Sequence, residues 1–382
     1  MGKRGNGEGS IYPHKRNGVK IGYRGSYTIY TSAGPKRRYV SGKTREDVRK
    51  KLTKAMSDRD GGFVFEAGSV RVGEYLDRWL RDSVRGTVRQ STYETYGHMA
   101  SKHIIPALGA IKLRSLTPMH VRGFYRERLD NEDRKCAPAT VRKMHVVLQK
   151  ALDQAVSDGL LPRNAAKGVK LPQTKRGNIQ PLTREQTKIL LGTVSGDRLE
   201  ALYVLAVATG LRQGELLALK WEDVELEEAV LRVRSTLTRS GGTVSIGQPK
   251  TARSRRSVGL TGQGVSALRV HLSRQIREME EMGSLYQPGG LVFANEIGGI
   301  INPSNLRNRS LKPLLQRAGL PKIRFHDLRH TCATLLLSKN INPKIVSEML
   351  GHSSIAITLD TYSHVLPNMQ QSAVQALEEA LK

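Results

Sequence analysis

The spacing of apolar residues changes along the chain, and this change limits the possible folds more than any other feature. Residues 9–14, 20–31 and 36–41 are rich in Tyr, Ile, Val and Thr and are separated by the turn sequences Asn17-Gly18 and Gly34-Pro35, which predicts three short strands. Further along, apolar residues recur mainly at helical spacing. Because the two patterns follow one another, and because 382 residues correspond to two or three domains, we expect a multidomain protein.

Four segments follow from these patterns. We expect a small N-terminal three-stranded sheet plus helix in residues 1–62, an all-α four-helix domain in 63–168, a basic linker in 169–181, and a mostly α domain with a small antiparallel sheet in 182–382. Ser91 with Glu94, and Thr183 with Gln186, have the spacing of helix capping boxes. Pro106 predicts the end of the helix that starts at Ser91.

The charge balance of the chain predicts the class of its partner. The 62 lysines and arginines outnumber the 34 acidic residues and give a formal charge of +28, which indicates nucleic acid or an anionic membrane. No apolar run reaches the ~18 residues that span a bilayer, and the first residues lack the apolar stretch of a signal peptide. Cys136 and Cys332 are isolated, which fits a reducing compartment. We therefore expect a cytoplasmic protein that binds nucleic acid and not a membrane.

Positive charge is concentrated on predicted elements that could lie against DNA. Residues 1–62 contain 16 basic and 5 acidic residues, and a short β-ribbon fits the DNA major groove. The candidate DNA-binding residues are Lys20, Arg24, Lys36, Arg37 and Arg38 in the predicted sheet module, and Arg142 and Lys143 on the fourth predicted helix, residues 139–158. A solvated basic surface without a partner is the alternative interpretation, because charge runs alone are weak signals.

Two basic residues in the first half of residues 182–382, Arg212 and Lys250, could contact an anion. Arg212 follows the Thr209-Gly210 break at the start of a predicted helix, where its guanidinium and the helix N-terminus both act as donors. Glu215 could orient Arg212 across one turn, although a surface ion pair explains the same spacing. Lys250 lies in the turn between predicted strands, and a lysine at a hairpin tip can reach into a site.

More candidates lie nearer the C-terminus, where histidines are frequent. His326 and Arg329 are three residues apart, so on a helix they project on the same side. His326 and His330 are four residues apart, a spacing that zinc sites use. Neither the glutamate of the HExxH pattern nor a cysteine cluster accompanies them, so we expect no metal site.

Five short sequence features occur in a fixed order in this region. They are TGLRQGE (209–215), Lys250 on the hairpin, HDLRH (326–330), LGHSS (350–354) and DTYSH (360–364). Each is weak alone, but the ordered set resembles the tyrosine recombinase, or phage integrase, family. The helical segment before it is similar to the core-binding (SAM-like) domain of that family. The basic N-terminal module resembles the arm-type DNA-binding domain of integrases from temperate phages and conjugative transposons.

The resemblance implies a site-specific DNA recombinase that cuts and rejoins DNA. Tyr362 would be the nucleophile that forms a 3′-phosphotyrosyl link, and Arg212 and Arg329 would clamp the non-bridging phosphate oxygens. The other implied roles are proton transfer at the tyrosine by His326, protonation of the departing 5′ oxygen by Lys250, a hydrogen bond to the phosphate from His352, and support from Glu215, Asp327 and His330. His364 is left without a role. Because the covalent link preserves the energy of the phosphodiester, no ATP, metal ion or other cofactor is implied.

The resemblance also implies partners. They are double-stranded DNA attachment sites of core and arm type, a homotetramer assembled on DNA, and accessory DNA-bending or directionality proteins, at the nucleoid of a bacterial host. An apolar stripe over residues 369–381 predicts a terminal helix that packs on its own domain or on a neighbouring protomer, and the family favours the neighbour. Two alternatives stay open at this point: a type IB topoisomerase that relaxes DNA, and a non-catalytic DNA-binding regulator.

Overall fold

The computed structural model describes residues 9–31, 34–60, 69–132, 135–174, 179–249, 255–362, 374 and 377–381. The chain divides into two compact units, residues 1–175 and 176–382. The division falls inside the segment predicted as a linker, residues 169–181. Lys250, His364 and most of the predicted terminal helix lie outside the described residues.

The first unit begins with an antiparallel sheet in the order β1-β2-β3, followed by one helix. Its elements are β1 (Ser10–Arg16), β2 (Val19–Thr31), β3 (Gly34–Gly42) and α1 (Arg45–Asp60). Tyr27 and Ile29 of β2 are buried in one apolar cluster with Leu52 of α1. Thr44 caps the helix, because its Oγ1 accepts a hydrogen bond from the backbone amide of Asp47 at 3.1 Å. A three-stranded sheet plus helix is the arrangement that the sequence predicts.

Four helical segments complete the first unit. They are α2 (Val72–Trp79, continued by a π-helical turn over Leu80–Val84), α3 (Gln90–Met99, continued by Ala100–Ile104 and Ile105–Leu108), α4 (Pro118–Asp130) and α5 (Pro138–Ser157). Their apolar faces share one buried core that includes Leu76, Ile104, Val121 and Leu148. The count of four helical segments in the described part of residues 63–168 agrees with the sequence pattern.

The capping residue predicted for α3 is wrong, and the end predicted near Pro106 is two residues early. The helix begins at Gln90 with Arg89 as its N-cap, so Ser91 already lies inside the first turn and makes no capping box with Glu94. Pro106 does not end the helix, because helical turns continue to Leu108. The proline sits in the first turn of a short segment that follows a wider π-helical turn, where a missing backbone N–H removes little.

The second unit is mostly helical. Its helices are α6 (Arg184–Val194), α7 (Glu200–Thr209), α8 (Gln213–Leu216), α9 (Gly262–Met282), α10 (Pro303–Asn305, continued by Leu306–Leu311 and Lys312–Arg317), α11 (Phe325–Leu337), α12 (Pro343–Leu350) and α13 (Ile355–Tyr362). The apolar helix α7 lies at the centre and packs against α9 and α11. Leu205 of α7 is fully buried in the same core as Leu268 and Leu328. Thr183 and Gln186 form the predicted capping box at the start of α6.

The second unit has two small antiparallel sheets among its described residues, and the single sheet predicted from the sequence is therefore corrected. Its strands are β4 (Val224–Glu225), β5 (Val230–Val233), β6 (Thr236–Ser240), β7 (Thr243–Gly247) and β8 (Arg256–Gly259). One sheet has the order β4-β5-β8, and the other is the hairpin β6-β7. The neighbouring strands β5 and β6 belong to different sheets, because Val230–Val233 pairs with β8 whereas Thr236 begins the pairing with β7.

Two features are absent from the described residues. None of their helices combines the length and the apolar character needed to cross a membrane. In the same residues, no group of three or more His, Cys, Asp and Glu side chains is placed to hold a metal ion.

Candidate active site

Helix α11 presents three of the candidate residues from one side. Its first turn is held by Asp327, whose Oδ2 accepts a hydrogen bond from the Arg324 backbone amide at 2.8 Å. His326, Arg329 and His330 follow at spacings of three and four residues, which place side chains on one helix face. Arg329 is fully buried, as expected for a residue that lies against the neighbouring helix α7.

Two helix C-termini hold the two candidate arginines through glycine carbonyls. Gly210 ends α7 and Gly351 ends α12, both in the left-handed conformation with φ of 61° and 69°. The Gly210 carbonyl accepts a hydrogen bond from Arg329 Nη1 at 2.9 Å, and the Gly351 carbonyl accepts one from Arg212 Nη2 at 3.1 Å. The negative end of a helix dipole favours a cation at this position. The glycines of the TGLR and LGHSS sequences therefore fix the arginines as well as ending the helices.

A side chain at either glycine would be strained. A Cβ on Gly210 would lie 2.5 Å from Leu350 Cδ2, and a Cβ on Gly351 would lie 2.9 Å from Arg256 Nη1. The positive φ at both positions adds backbone strain for any other residue.

Glu215 is a buried carboxylate between two arginines. Its Oε1 lies 2.8 Å from Arg212 Nη1, and its Oε2 lies 3.0 Å from Arg256 Nη2. Burial alone would raise the pKa of the Glu215 carboxyl, but the charge and hydrogen bonds of Arg256, with those of Arg212, hold that pKa below its ordinary value. Arg256 also donates to the Met349 carbonyl at 2.6 Å. The carboxylate therefore stays charged and fixes both guanidiniums.

Tyr362, the last residue of α13, meets His330. The phenol Oη lies 2.6 Å from His330 Nδ1, and the side chain is only 1% exposed. Burial raises the pKa of Tyr362 to about 12, against the lowering effect of the nearby Arg329 charge. The contact partner of the phenol in this structure is thus a histidine that the sequence places only among the supporting residues.

His352 and His326 are both kept neutral. His352 Nδ1 lies 2.7 Å from Thr358 Oγ1, and burial, with the charges of Arg329 and Arg212, lowers the pKa of His352 to about 4. Burial also lowers the pKa of His326 to about 4, helped by His330, Arg329 and Arg212. At neutral pH each ring can donate one hydrogen bond and accept one.

The structure therefore brings most of the predicted site residues into one network. Contacts or charge interactions join Arg212, Glu215, His326, Asp327, Arg329, His330, His352 and Tyr362. The sequence missed Arg256 and Thr358, since no periodicity or motif marks either position. A cavity of about 510 Å³ beside His352 has Arg255, Arg256 and Lys344 in its wall, so its rim is basic.

The candidate DNA-binding residues of the first unit divide between the two faces of the sheet. Residues directly opposite on neighbouring strands point to the same face, and alternate residues point to opposite faces. Lys36 pairs with Ile29 and Arg38 with Tyr27, so both lie on the face that packs on α1. Arg37 pairs with Thr28 on the other face. Arg24 lies on that same face, with its guanidinium 5.0 Å from the Tyr39 ring centroid.

The other three DNA-binding candidates occupy separate places. Lys20, next to the β1–β2 turn, donates from Nζ to Tyr23 Oη at 2.7 Å. Arg142 and Lys143 are exposed on α5. Arg142 Nε donates to the Pro172 carbonyl at 3.1 Å, which orients its guanidinium.

Comparison with known proteins decides the family. The phage integrase family profile matches residues 180–369, and the phage integrase N-terminal SAM-like domain profile matches residues 72–129. A XerC-like tyrosine recombinase of Caldanaerobacter subterraneus subsp. tengcongensis is 33% identical over 389 residues, which cover 96% of this chain and 98% of that protein. The chain belongs to the phage integrase family of tyrosine recombinases. These findings favour neither a topoisomerase nor a non-catalytic regulator.

Further relatives of this recombinase come from mobile elements. The integrase of Mycobacterium phage FRAT1 is 30% identical over 75% of this chain and 82% of that protein. The ICEBs1 integrase of Bacillus subtilis is 25% identical over 76% of this chain and 78% of that protein. The recombinase is thus an enzyme of site-specific DNA recombination.

Solved structures share the fold. The Tn1549 transposon integrase in complex with a circular intermediate DNA has a TM-score of 0.68 at 21% identity, covering 81% of this chain and all of that chain. A lambda integrase tetramer bound to a Holliday junction has a TM-score of 0.58 at 20% identity, covering 93% of this chain and 96% of that one.

Proposed function

We propose that this recombinase is the integrase of a mobile element and that it cuts DNA by attack of Tyr362 on one phosphodiester. The observation that carries this assignment is the position of the Tyr362 phenol, 2.6 Å from His330 on the helix that also bears Arg329. A tyrosine with an ordinary pKa of ~10 is a poor nucleophile at neutral pH. A neighbouring base and neighbouring cations are the groups that activate it.

Arg212 and Arg329 suit the charge that develops on the phosphate. Arg329 has its Nη1 fixed by the Gly210 carbonyl, while its buried Nη2 has no hydrogen-bond partner among the described residues. Burial and the charge of Arg212 lower the pKa of Arg329 to about 10, so the guanidinium remains a cation at neutral pH. Donors fixed before the reaction stabilise the transition state by about 3–4 kcal/mol each, or ~10²–10³ in rate.

His326 and His352 are neutral donors that lie near the charges of Arg212 and Arg329. We assign each a hydrogen bond to a non-bridging oxygen, and we assign protonation of the departing 5′ oxygen to Lys250. Tyr362 is almost fully buried in this structure. We therefore expect the residues that cover the phenol to move when DNA binds.

The reaction needs no external energy source in this scheme, because the 3′-phosphotyrosyl bond keeps the energy of the phosphodiester for rejoining. The described site offers guanidinium groups, a phenol and imidazoles, which are the groups that this chemistry requires. No cofactor is proposed.

We assign double-stranded attachment-site DNA as the partner. Residues 63–168 would bind core sites, and residues 1–62 would bind arm-type sites through the sheet face that bears Arg24 and Arg37. Arg142 and Lys143 are exposed on α5 and suit contacts to core-site phosphates. The working assembly would be a homotetramer on DNA at the host nucleoid, joined by accessory DNA-bending or directionality proteins. The tetramer of lambda integrase on a Holliday junction, a protein of the same fold, supports this assembly.

A covalent-trapping experiment tests the nucleophile. Wild-type protein and Tyr362→Phe are incubated with a nicked suicide substrate that carries the attachment site of the element. We expect a protein–DNA adduct on denaturing gels for the wild type alone, with DNA binding equal in both proteins. An adduct formed by Tyr362→Phe, or no adduct from wild-type protein that binds the site, would contradict the assignment. Relaxation of supercoiled DNA that lacks the site would point instead to a topoisomerase.

A further inference from the structure

Helix α11 carries two histidines on adjacent turns, and they face different groups. The His326 and His330 rings are in edge contact, with centroids 4.9 Å apart. The His330 ring lies against Tyr362, with centroids 5.6 Å apart and Nδ1 2.6 Å from Oη. His326 lies in the field of Arg329 and Arg212, whereas the charged groups acting on His330 are Asp327, Arg324 and Arg329. The two histidines thus differ in their neighbours, since the charge of Arg212 acts on His326 whereas the Tyr362 phenol contacts His330.

The tautomer of His330 decides the direction of the Tyr362–His330 hydrogen bond. Burial raises the pKa of Tyr362 to about 12, so the phenol carries its proton at neutral pH. Burial also lowers the pKa of His330 below its ordinary value, although Asp327 acts in the opposite direction. A neutral imidazole with its proton on Nε2 leaves Nδ1 as an acceptor. In this tautomer the phenol donates its hydrogen bond to His330 Nδ1.

We propose that His330, rather than His326, is the general base that takes the phenol proton of Tyr362 during DNA cleavage. The proposal rests on the assignment of Tyr362 as the nucleophile. As Oη forms its bond to phosphorus, the phenol proton moves to His330 Nδ1 and the bond from phosphorus to the 5′ oxygen breaks. The departing 5′ oxygen receives a proton from a separate acid, for which Lys250 is our candidate. In rejoining, the imidazolium returns its proton to the leaving phenolate, so His330 ends each cycle neutral.

The two ends of this reaction can be separated chemically. A substrate with sulfur in place of the bridging 5′ oxygen leaves as a thiolate, which needs no protonation. A defect at the leaving-group end is therefore relieved on the sulfur substrate, whereas a defect at the tyrosine end persists. Single-turnover cleavage is measured on both substrates for wild type, His330→Ala, His330→Asn and Lys250→Ala.

We expect His330→Ala and His330→Asn to cleave the oxygen substrate about 10²–10⁴-fold more slowly than wild type, which is the usual contribution of a general base. The same loss should remain on the sulfur substrate, while Lys250→Ala should recover there. The asparagine side chain in His330→Asn keeps a hydrogen-bond acceptor but cannot take up a proton, so the defect of this variant distinguishes proton transfer from positioning. Binding of site DNA and the midpoint of thermal unfolding are measured for each variant.

A second measurement stays informative if His330→Ala folds poorly. Replacement of Tyr362 by a fluorinated tyrosine lowers the pKa of the phenol and reduces the need for a base. We expect fluorination to recover part of the activity of His330→Asn but not that of His326→Asn.

Three outcomes would overturn the proposal: wild-type cleavage by His330→Asn, recovery of the His330 variants on the sulfur substrate, or recovery of His326→Asn but not His330→Asn by the fluorinated tyrosine. Failure of the nucleophile assignment is distinguishable, because it appears as an adduct in Tyr362→Phe.

Discussion

At the scale of single residues, Glu215 organises the site without being placed to react. Its two oxygens hold Arg212 and Arg256, and Arg256 in turn donates to the carbonyl of Met349, two residues before Gly351. One buried carboxylate therefore links α8, β8 and the end of α12. Such a group contributes to stability only while it is ionised, since a protonated carboxyl between two guanidiniums loses both ion pairs.

The first prediction concerns Glu215→Gln. We expect the free energy of unfolding at pH 7 to fall by about 3 kcal/mol, the low end of the cost of breaking a buried ion pair, because Arg212 is 38% exposed. The folded-state pKa of Glu215 is depressed, so its stabilising contribution is complete above the unfolded pKa of 4.5 and is lost as the pH falls toward the folded pKa. Below pH 4.5, unfolding should depend less steeply on pH in Glu215→Gln than in the parent.

Urea unfolding followed by tryptophan fluorescence checks this. The chain has two tryptophans, Trp79 and Trp221, so a Trp79→Phe background leaves Trp221 as the reporter of the second unit. Glu296→Gln, at an exposed position in the same unit, is the matched control and should unfold like the parent. If the free energy of unfolding depended on pH equally in Glu215→Gln and the parent, the proposed role of the carboxylate would be excluded.

At the scale of elements, strand alternation decides which basic residues can share a DNA surface. Lys36 and Arg37 are neighbours in the chain, but β3 directs them to opposite faces of the sheet. Only the face bearing Arg24, Arg37 and the Tyr39 ring is free of α1. A flat basic and aromatic face of this kind suits a DNA groove better than the face that carries the helix.

The second prediction follows from that alternation. On long attachment-site DNA, Arg37→Gln should weaken the dependence of log K on log salt by about 0.9, because one phosphate contact is lost. Lys36→Gln is the matched control on the opposite face and should leave the slope unchanged. Titrations at several salt concentrations measure both slopes. If the slope changed more in Lys36→Gln than in Arg37→Gln, the face that packs on α1 would be the one that contacts DNA, and our assignment would be wrong.

At the scale of the whole molecule, assembly depends on surfaces that the folded units leave uncovered. Described residues near the C-terminus include Leu377 and Leu381, which are 60% and 78% exposed. Two large apolar side chains so exposed on one short segment are expected to be buried when the protein assembles. In the proposed tetramer, a neighbouring protomer would bury them.

The third prediction tests that assembly. Leu377→Asp should reduce the number of protomers on a four-way DNA junction, because a charged side chain opposes burial. Sedimentation velocity with labelled junction DNA measures the stoichiometry, and Glu378→Gln, at an adjacent exposed position, is the control. Adduct formation at a single site should persist in both variants. Four protomers on the junction with Leu377→Asp would show that this segment does not join the subunits.

The sequence determined what depends on local periodicity and on residue identity. The strand and helix patterns, the Thr183 cap and the shared face of His326, Arg329 and His330 follow from backbone geometry over three or four residues. The family motifs indicated the residues that we propose as reacting groups, because the order of the motifs along the chain is itself a pattern. Local signals misplaced the ends of one helix. The helical turns of α3 begin at Gln90, before Ser91, and continue past Pro106 to Leu108.

Only the tertiary structure decided which distant residues meet. Arg212 reaches the Gly351 carbonyl across 139 residues, Arg256 reaches Glu215 across 41, and Tyr362 reaches His330 across 32. Sequence spacing carries no information on these contacts, since they depend on how α11 packs on α7 and how α12 packs on α11 and β8. The choice of His330 over His326 as the partner of Tyr362 belongs to this class, because one helical turn separates the two rings and packing alone fixes which of them the phenol contacts.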